Sequence, residues 1–265
     1  MAELPEFLYK YMYLNPEIEK IDPGYYENIF LKSLIYFPTL KELNDPYDSN
    51  PAFNIDHCSD DNLIEIILKR KKKSLNREAY RQLEKDILQK KINVREIMHE
   101  NIKNIARDGL KNRVLSFSET PCSTAMWAHY SNNHKGFCLK FKTSSFGDKF
   151  KDIFEDIIYS KCRPILTPEN LENLDFNVKE KMFIKSEEWA YEKEWRILDS
   201  VKNSPESKIG LQEGFLQGII LGINMNPKEK TLILNWIRNS TYRGNFELKQ
   251  IALCYKSFDL TVVDI

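Results

Sequence analysis

Glycine is scarce in this chain, nine residues in 265, and none builds a glycine-rich phosphate loop or the nucleophile elbow of a hydrolase. Any bound phosphate must then be held by side chains rather than by a backbone cradle. The five cysteines are scattered, odd in number and without a Cys-x-x-Cys pair. That pattern fits free thiols in a reducing compartment and argues against a disulfide framework. An excess of one charge is missing too: 39 Lys and Arg balance 39 Asp and Glu, so the chain as a whole is not built around nucleic-acid phosphates. No apolar run approaches the roughly 18 residues of a membrane span, and no membrane partner is expected. The opening residues 1–7 have neither the basic start nor the apolar stretch of a secretory signal. The expectation is a soluble, cytoplasmic, globular protein.

What is present suffices for a packed core: 42% of residues are apolar and 12% aromatic. At about 150 residues per domain the length falls between one domain and two. We read a single α+β domain over residues 1–265, with a helical insertion at 60–112. The insertion has no Pro and a single Gly, Gly109. Its apolar residues recur at helical spacing through Leu83, Ile87, Val94, Ile97, Met98, Ile102 and Ile105. Charge is uneven along the chain. Residues 1–60 carry eleven acids and four bases, whereas 69–91 carry ten bases and three acids, with the run Lys69-Arg70-Lys71-Lys72-Lys73. Such a run reads either as a solvated helix face or as a patch for an anionic partner.

Elsewhere short strands alternate with helices. Strand patterns occur at residues 7–12, 34–37, 113–118, 136–142, 154–159, 194–198, 218–221, 250–255 and 260–263. A helix is signalled by Asn226 as cap and Pro227 at the first helical position, followed by Leu232, Leu234, Trp236 and Ile237. About nine strands without a regular strand–helix repeat predict a mixed or largely antiparallel, split sheet with peripheral helices.

Four clusters are dense in polar groups. Asn44-Asp45-Pro46-Tyr47-Asp48 reads as a turn or as part of a site. In Ser116-Phe117-Ser118-Glu119, strand alternation puts Ser116 and Ser118 on one face, where they can orient a ligand, cap a helix or face water. In Met126-Trp127-Ala128-His129-Tyr130, helical spacing puts Trp127 and Tyr130 together. A zinc reading of Cys122, His129, His134 and Cys138 matches no common ligand spacing, so no metal is expected. The fourth cluster is Trp189-Ala190-Tyr191-Glu192-Lys193-Glu194-Trp195-Arg196. On an extended chain Glu192, Glu194 and Arg196 share a face. The aromatic flanks argue that the segment is partly buried, and buried carboxylates need partners, for which Arg196 or Lys185 would serve.

In this order the clusters resemble a bacterial family catalogued as domain of unknown function 2971. The likeness is carried by Leu8-Tyr9-Lys10-Tyr11, the Asn44–Asp48 segment, Ser116-Phe117-Ser118, Met126–Tyr130, Asn133-His134-Lys135-Gly136, and Lys185 with Trp189 and Tyr191–Arg196. It runs from about residue 8 to 222. A second resemblance, to the mono-ADP-ribosyltransferases, lies in a polar first-strand residue, a Ser-x-Ser strand and a late Glu-x-Glu. It implies that the chain is an enzyme that takes NAD as substrate. Lys10 would stand where that family has Arg or His on the dinucleotide, with Tyr9, Tyr11 or Tyr130 stacking on nicotinamide beside Trp127. Ser116 and Ser118 would orient the ribose, and Glu194 or Glu192 would act as the catalytic carboxylate. The acceptor would be a protein, a nucleic acid or water. Two other functions fit the same residues. One is a metal-dependent hydrolase or nuclease using Asp45, Asp48, Glu192 and Glu194. The other is a non-catalytic ligand- or partner-binding module held together by the Trp-Glu-Arg cluster.

Overall fold

The computed structural model describes residues 3–109, 111–146, 154–168, 181–199, 207–210, 214–240, 242 and 246–265. The chain divides into two compact units. The first comprises Met1–Pro38, Arg113–Ile157 and Glu188–Ile265; the second comprises Thr39–Asn112 and Ile158–Glu187.

The first unit is built on an eight-stranded sheet. Its strands are β1 (Phe7–Met12), β4 (Arg113–Ser118), β5 (Phe137–Lys142), β6 (Phe154–Asp156), β10 (Glu194–Asp199), β12 (Leu216–Leu221), β13 (Glu247–Leu253) and β14 (Leu260–Asp264). They lie in the order β14-β13-β12-β5-β1-β4-β10-β6. Neighbours are antiparallel except β12 and β13, which run parallel. These two are joined through a helix (Pro227–Asn239) whose start is capped as the sequence signals, Asn226 Oδ1 accepting from the Lys228 N–H. The sheet is α+β in composition and mostly antiparallel, as expected. A two-stranded ribbon, β2 (Leu34–Tyr36) with β11 (Lys208–Gly210), completes the strands described in this unit.

The pairing is uneven, and this positions the site. β1 matches β5 over six residue pairs and β10 matches β4 over six, but β1 and β4 share only Tyr9↔Ser118. The sheet therefore has a seam between β1 and β4. Both faces of the sheet are covered, because β5 buries successive residues. Phe137, Leu139 and Phe141 pack in the larger core with Leu8, Phe117, Trp195 and Ile197, while Cys138 faces a second cluster with Tyr11, Met126 and Trp127. The larger core is roofed by two helices, α1 (Pro16–Ile21) being peripheral and α2 (Tyr25–Leu31) contributing Tyr26, Ile29 and Phe30. Ile233 of the Pro227–Asn239 helix joins it. The sequence pattern named that residue's neighbours and passed over the one that is buried, while Leu232 is exposed.

The second unit includes the helices α3 (Asp60–Ser74), α4 (Arg77–Leu88) and α5 (Val94–Gly109). They share a core of Leu63, Ile66, Ile67, Ile87, Val94, Met98 and Ile102, with Leu83 and Ile97 packed at its margin. The side chain of Ile105 lies outside the described residues. Ser59 and Asn76 cap α3 and α4. Two parallel pairs of very short strands follow: β3 (Ala52–Phe53) with β8 (Ile165–Leu166) ties the unit's two chain segments together, and β7 (Ile158–Ser160) with β9 (Ile184–Ser186) joins the ends of the later segment. The strand pattern at 154–159 is thus two strands, β6 and β7. Among the described residues no helix is long and apolar enough to cross a membrane.

Candidate active site

Polar groups gather where the seam meets the start of β10. Glu194 and Arg196 are two apart on that strand and so share a face. Arg196 Nε lies 2.6 Å from Glu194 Oε1 and its Nη2 lies 2.9 Å from Oε2. Both residues are buried, at 5% and 1% exposure. The two-pronged geometry offsets the desolvation of both charges. Trp195 and Ile197, between and beyond them, point into the larger core.

Glu192 does not share this face through a continuous strand. It ends a 3₁₀ turn, Glu187–Glu192, and Lys193 has φ of 44°, a left-handed conformation that breaks the extended chain before β10 begins. The extended arrangement expected for 192–196 holds only from Glu194 onward. Glu192 is nevertheless buried, and Tyr130 donates its hydroxyl to Glu192 Oε1 at 2.6 Å. Tyr130 comes from α6 (Thr124–Tyr130), whose start is capped by the Ser123 hydroxyl.

Beside that contact lies a cluster of rings. His129, Trp189 and Tyr191 pack pairwise with centroids 5.9–6.3 Å apart, and His129 Nδ1 is 2.8 Å from the Tyr191 hydroxyl. His129 is exposed, and Trp189, Tyr191 and Tyr130 are half-buried. In the sequence Trp189 and Tyr191 stand out as aromatic flanks and as carriers of the family likeness, not as partners of His129. Their meeting with His129, 60 or more residues away, has no local signal.

The remaining first-unit candidates divide by what their side chains already do. Ser118 is fully buried; its hydroxyl donates to the Glu192 carbonyl at 2.6 Å and accepts from the Thr120 N–H at 3.2 Å. It ties the ring cluster to the seam, and it pairs in register with Glu194. Ser116 is half-buried and lies opposite Arg196. Lys10 Nζ donates to the Ser116 carbonyl across the seam at 3.2 Å. Burial lowers the Lys10 pKa to about 8, although the Glu194 carboxylate pulls the other way. Tyr11 and Trp127 are buried against one another edge to face at 5.3 Å. The Tyr11 hydroxyl donates to the Thr120 carbonyl and the Trp127 indole to that of Pro121. Burial raises the Tyr9 phenol to about 12 and pushes the Cys138 thiol well up.

The turn residues belong to the second unit. Asn44 is exposed. Asp45 Oδ1 accepts from the Tyr47 N–H at 2.9 Å, closing an Asx-type turn. Asp48 Oδ2 forms a buried ion pair with Lys185 Nζ at 3.4 Å. Among the described residues no group of three or more His, Cys, Asp or Glu side chains is gathered as a metal site.

Compared with known proteins, residues 126–197 match the model of a family described as a protein of unknown function, DUF2971. Over that segment the chain is similar to the DUF2971 family. The family resemblance read from the motifs is borne out over this stretch, which runs from Met126 in α6 to Ile197 in β10. The DUF2971 stretch thus contains Tyr130, the ring cluster, Glu192, Glu194 and Arg196, while Lys10, Ser116 and Ser118 precede it. No curated protein and no solved structure matches the chain.

Proposed function

We propose that the first unit cleaves the nicotinamide–ribose bond of NAD in the manner of a mono-ADP-ribosyltransferase, with Glu192 as the reacting carboxylate. The observation that carries this reading is a buried carboxylate fixed by Tyr130 beside the half-exposed rings of His129, Trp189 and Tyr191. The nicotinamide ring of NAD is cationic, and aromatic faces attract cations. As the glycosidic bond breaks, the electron pair leaves with nicotinamide and positive charge develops on the ribose, as in glycoside hydrolysis. A carboxylate already fixed in place stabilises that charge without reorganising, and terms of this kind are worth about 3–4 kcal/mol. The acceptor's nucleophile then bonds to the ribose carbon and its proton passes to Glu192. Glu194 suits this role less well, since Arg196 engages both of its oxygens. Lys10 supplies a cation for the dinucleotide phosphates, and side chains replace the glycine loop that the chain lacks.

A second reading is supported by the burial of Glu194 and Arg196, which also suits a structural pair in a non-catalytic binding module. Nicotinamide release by purified wild type, Glu192→Gln and Glu194→Gln separates the two. We expect release by the wild type and its loss in Glu192→Gln, which keeps an oxygen for Tyr130 and whose melting temperature is checked alongside. Glu194→Gln should instead lose stability, by up to about 3–5 kcal/mol, because it removes the buried negative charge that Arg196 engages through two nitrogens. Absence of release from the wild type, with cell lysate supplied as acceptor source, would sink the NAD reading in favour of the binding module.

A further inference from the structure

We propose that the exposed face of α4, together with the last turn of α3, binds the phosphate backbone of nucleic acid without reading its bases. This surface lies in the second unit and does not rest on the NAD chemistry above, since binding is measured without NAD.

Arg77, Arg81 and Lys85 follow one another at four-residue intervals on α4, and all three are exposed. Four residues of helix advance about 6 Å, so the three cations form a nearly straight row. They line a shallow depression of about 360 Å³ with Glu78 and Gln82. Immediately before the row, Lys72 and Lys73 are exposed in the last turn of α3, separated from α4 only by Leu75 and Asn76.

Two exposed lysines elsewhere are matched within their own helices, Lys20 by Glu17 at 2.6 Å and Lys103 by Glu100 at 3.1 Å. On α4, among the described residues, no carboxylate pairs with Arg77, Arg81 or Lys85. The nearby Asp86 accepts instead from Gln82 Nε2 at 2.9 Å. Like charges four apart work against a helix, and Arg77 in the first turn also opposes the helix dipole. Lys85 in the last turn suits the dipole, but the repulsion along the row works against folding, whereas a polyanion would complement all three cations. A regular line of cations fits the regular charges of a nucleic-acid strand. A membrane-surface helix would need a stripe of apolar anchors beside its basic residues, but Leu83 and Ile87 of α4 are turned into the unit's core, which leaves Leu88 at the helix end as its one exposed large aliphatic residue.

The test is fluorescence anisotropy of two labelled 20-nucleotide single-stranded DNAs of different sequence, titrated with the full-length protein. The two sequences should bind equally. If the five cations each neutralise one phosphate, affinity should fall about 100-fold between 50 and 200 mM salt, from a slope of about −0.7 per contact. The Arg77→Gln/Arg81→Gln/Lys85→Gln variant should keep the wild-type melting temperature and flatten that slope by about 2. Gln82→Lys, which adds a cation to the same depression, should tighten binding and steepen the slope. The proposal is overturned if the wild type does not bind at low salt by roughly 100 µM, the weak end of non-specific binding. It is equally overturned if the triple variant binds as the wild type does, or if phosphatidylserine vesicles compete the DNA away while neutral vesicles do not.

Discussion

Lys10 carries a proton that folding disfavours. Its folded pKa is about 8 against an ordinary 10.5, with burial as the larger influence and Glu194 opposing it. Below pH 8 the amine is charged in folded and unfolded chains alike, and the folded state bears the full cost of burying it. Between about 8 and 10.5 the unfolded chain binds more protons, so the contribution of this residue makes stability rise with pH across that window. Replacing it, as in Lys10→Met, should therefore help most at neutral pH. Urea unfolding of both proteins at pH 7 and 9.5 should show the difference moving by about 2 kcal/mol in favour of the wild type. A difference that stays constant would mean that Lys10 is not charged at a cost. At this same scale the sequence is a partial guide. The pairing of Glu194 with Arg196 follows from strand alternation, but the separation of Glu192 depends on one left-handed residue, Lys193. Lysine gives no sign of that conformation, unlike the Gly or Asn that favour it.

Among the elements, β12 ends where the loop after α6 returns to the sheet. Asn132, Asn133 and His134 are all left-handed there, and the Gly222 N–H donates to the Gly136 carbonyl at 2.8 Å. A side chain at Gly222 would run into the backbone oxygens of His134 and Gly136. Because backbone cannot yield as a side-chain tip can, Gly222→Ala should cost at least about 1–3 kcal/mol. Gly210→Ala, whose nearest neighbour would be Leu34 Cδ2 at 3.9 Å, serves as the control and should be nearly neutral. Denaturant midpoints compare the two directly, and equal shifts would contradict the packing described. Longer elements announce themselves, since β1 and β4 alternate over six residues and α3 to α5 repeat their apolar positions. The pairs β3–β8 and β7–β9 do not. Two or three residues are too few to show a period, and each finds its partner in a remote segment of chain.

At the scale of the molecule, a ligand that binds only the folded chain raises its melting temperature by mass action. At about 100 times its dissociation constant NAD would add about 2.7 kcal/mol, which for a chain of this size corresponds to roughly 5–10 °C. A thermal scan across NAD concentrations checks this without any assumption about the acceptor, and Glu192→Gln should keep the shift even where turnover is lost. A flat response up to millimolar NAD would count against an NAD site in the protein.

The interleaving of the two units along the chain also orders their appearance during synthesis. The second unit is finished once Glu187 is made, whereas the first still waits for β10, β12, β13 and β14. At about 5–20 residues per second, translation leaves an interval of roughly 4–16 s between the two. During the first part of that time β4 waits for β10, and for longer β5 waits for β12. A nascent chain of this protein would thus present a matured helical unit beside unfinished strands, a state in which a chaperone has more to protect than in the completed molecule.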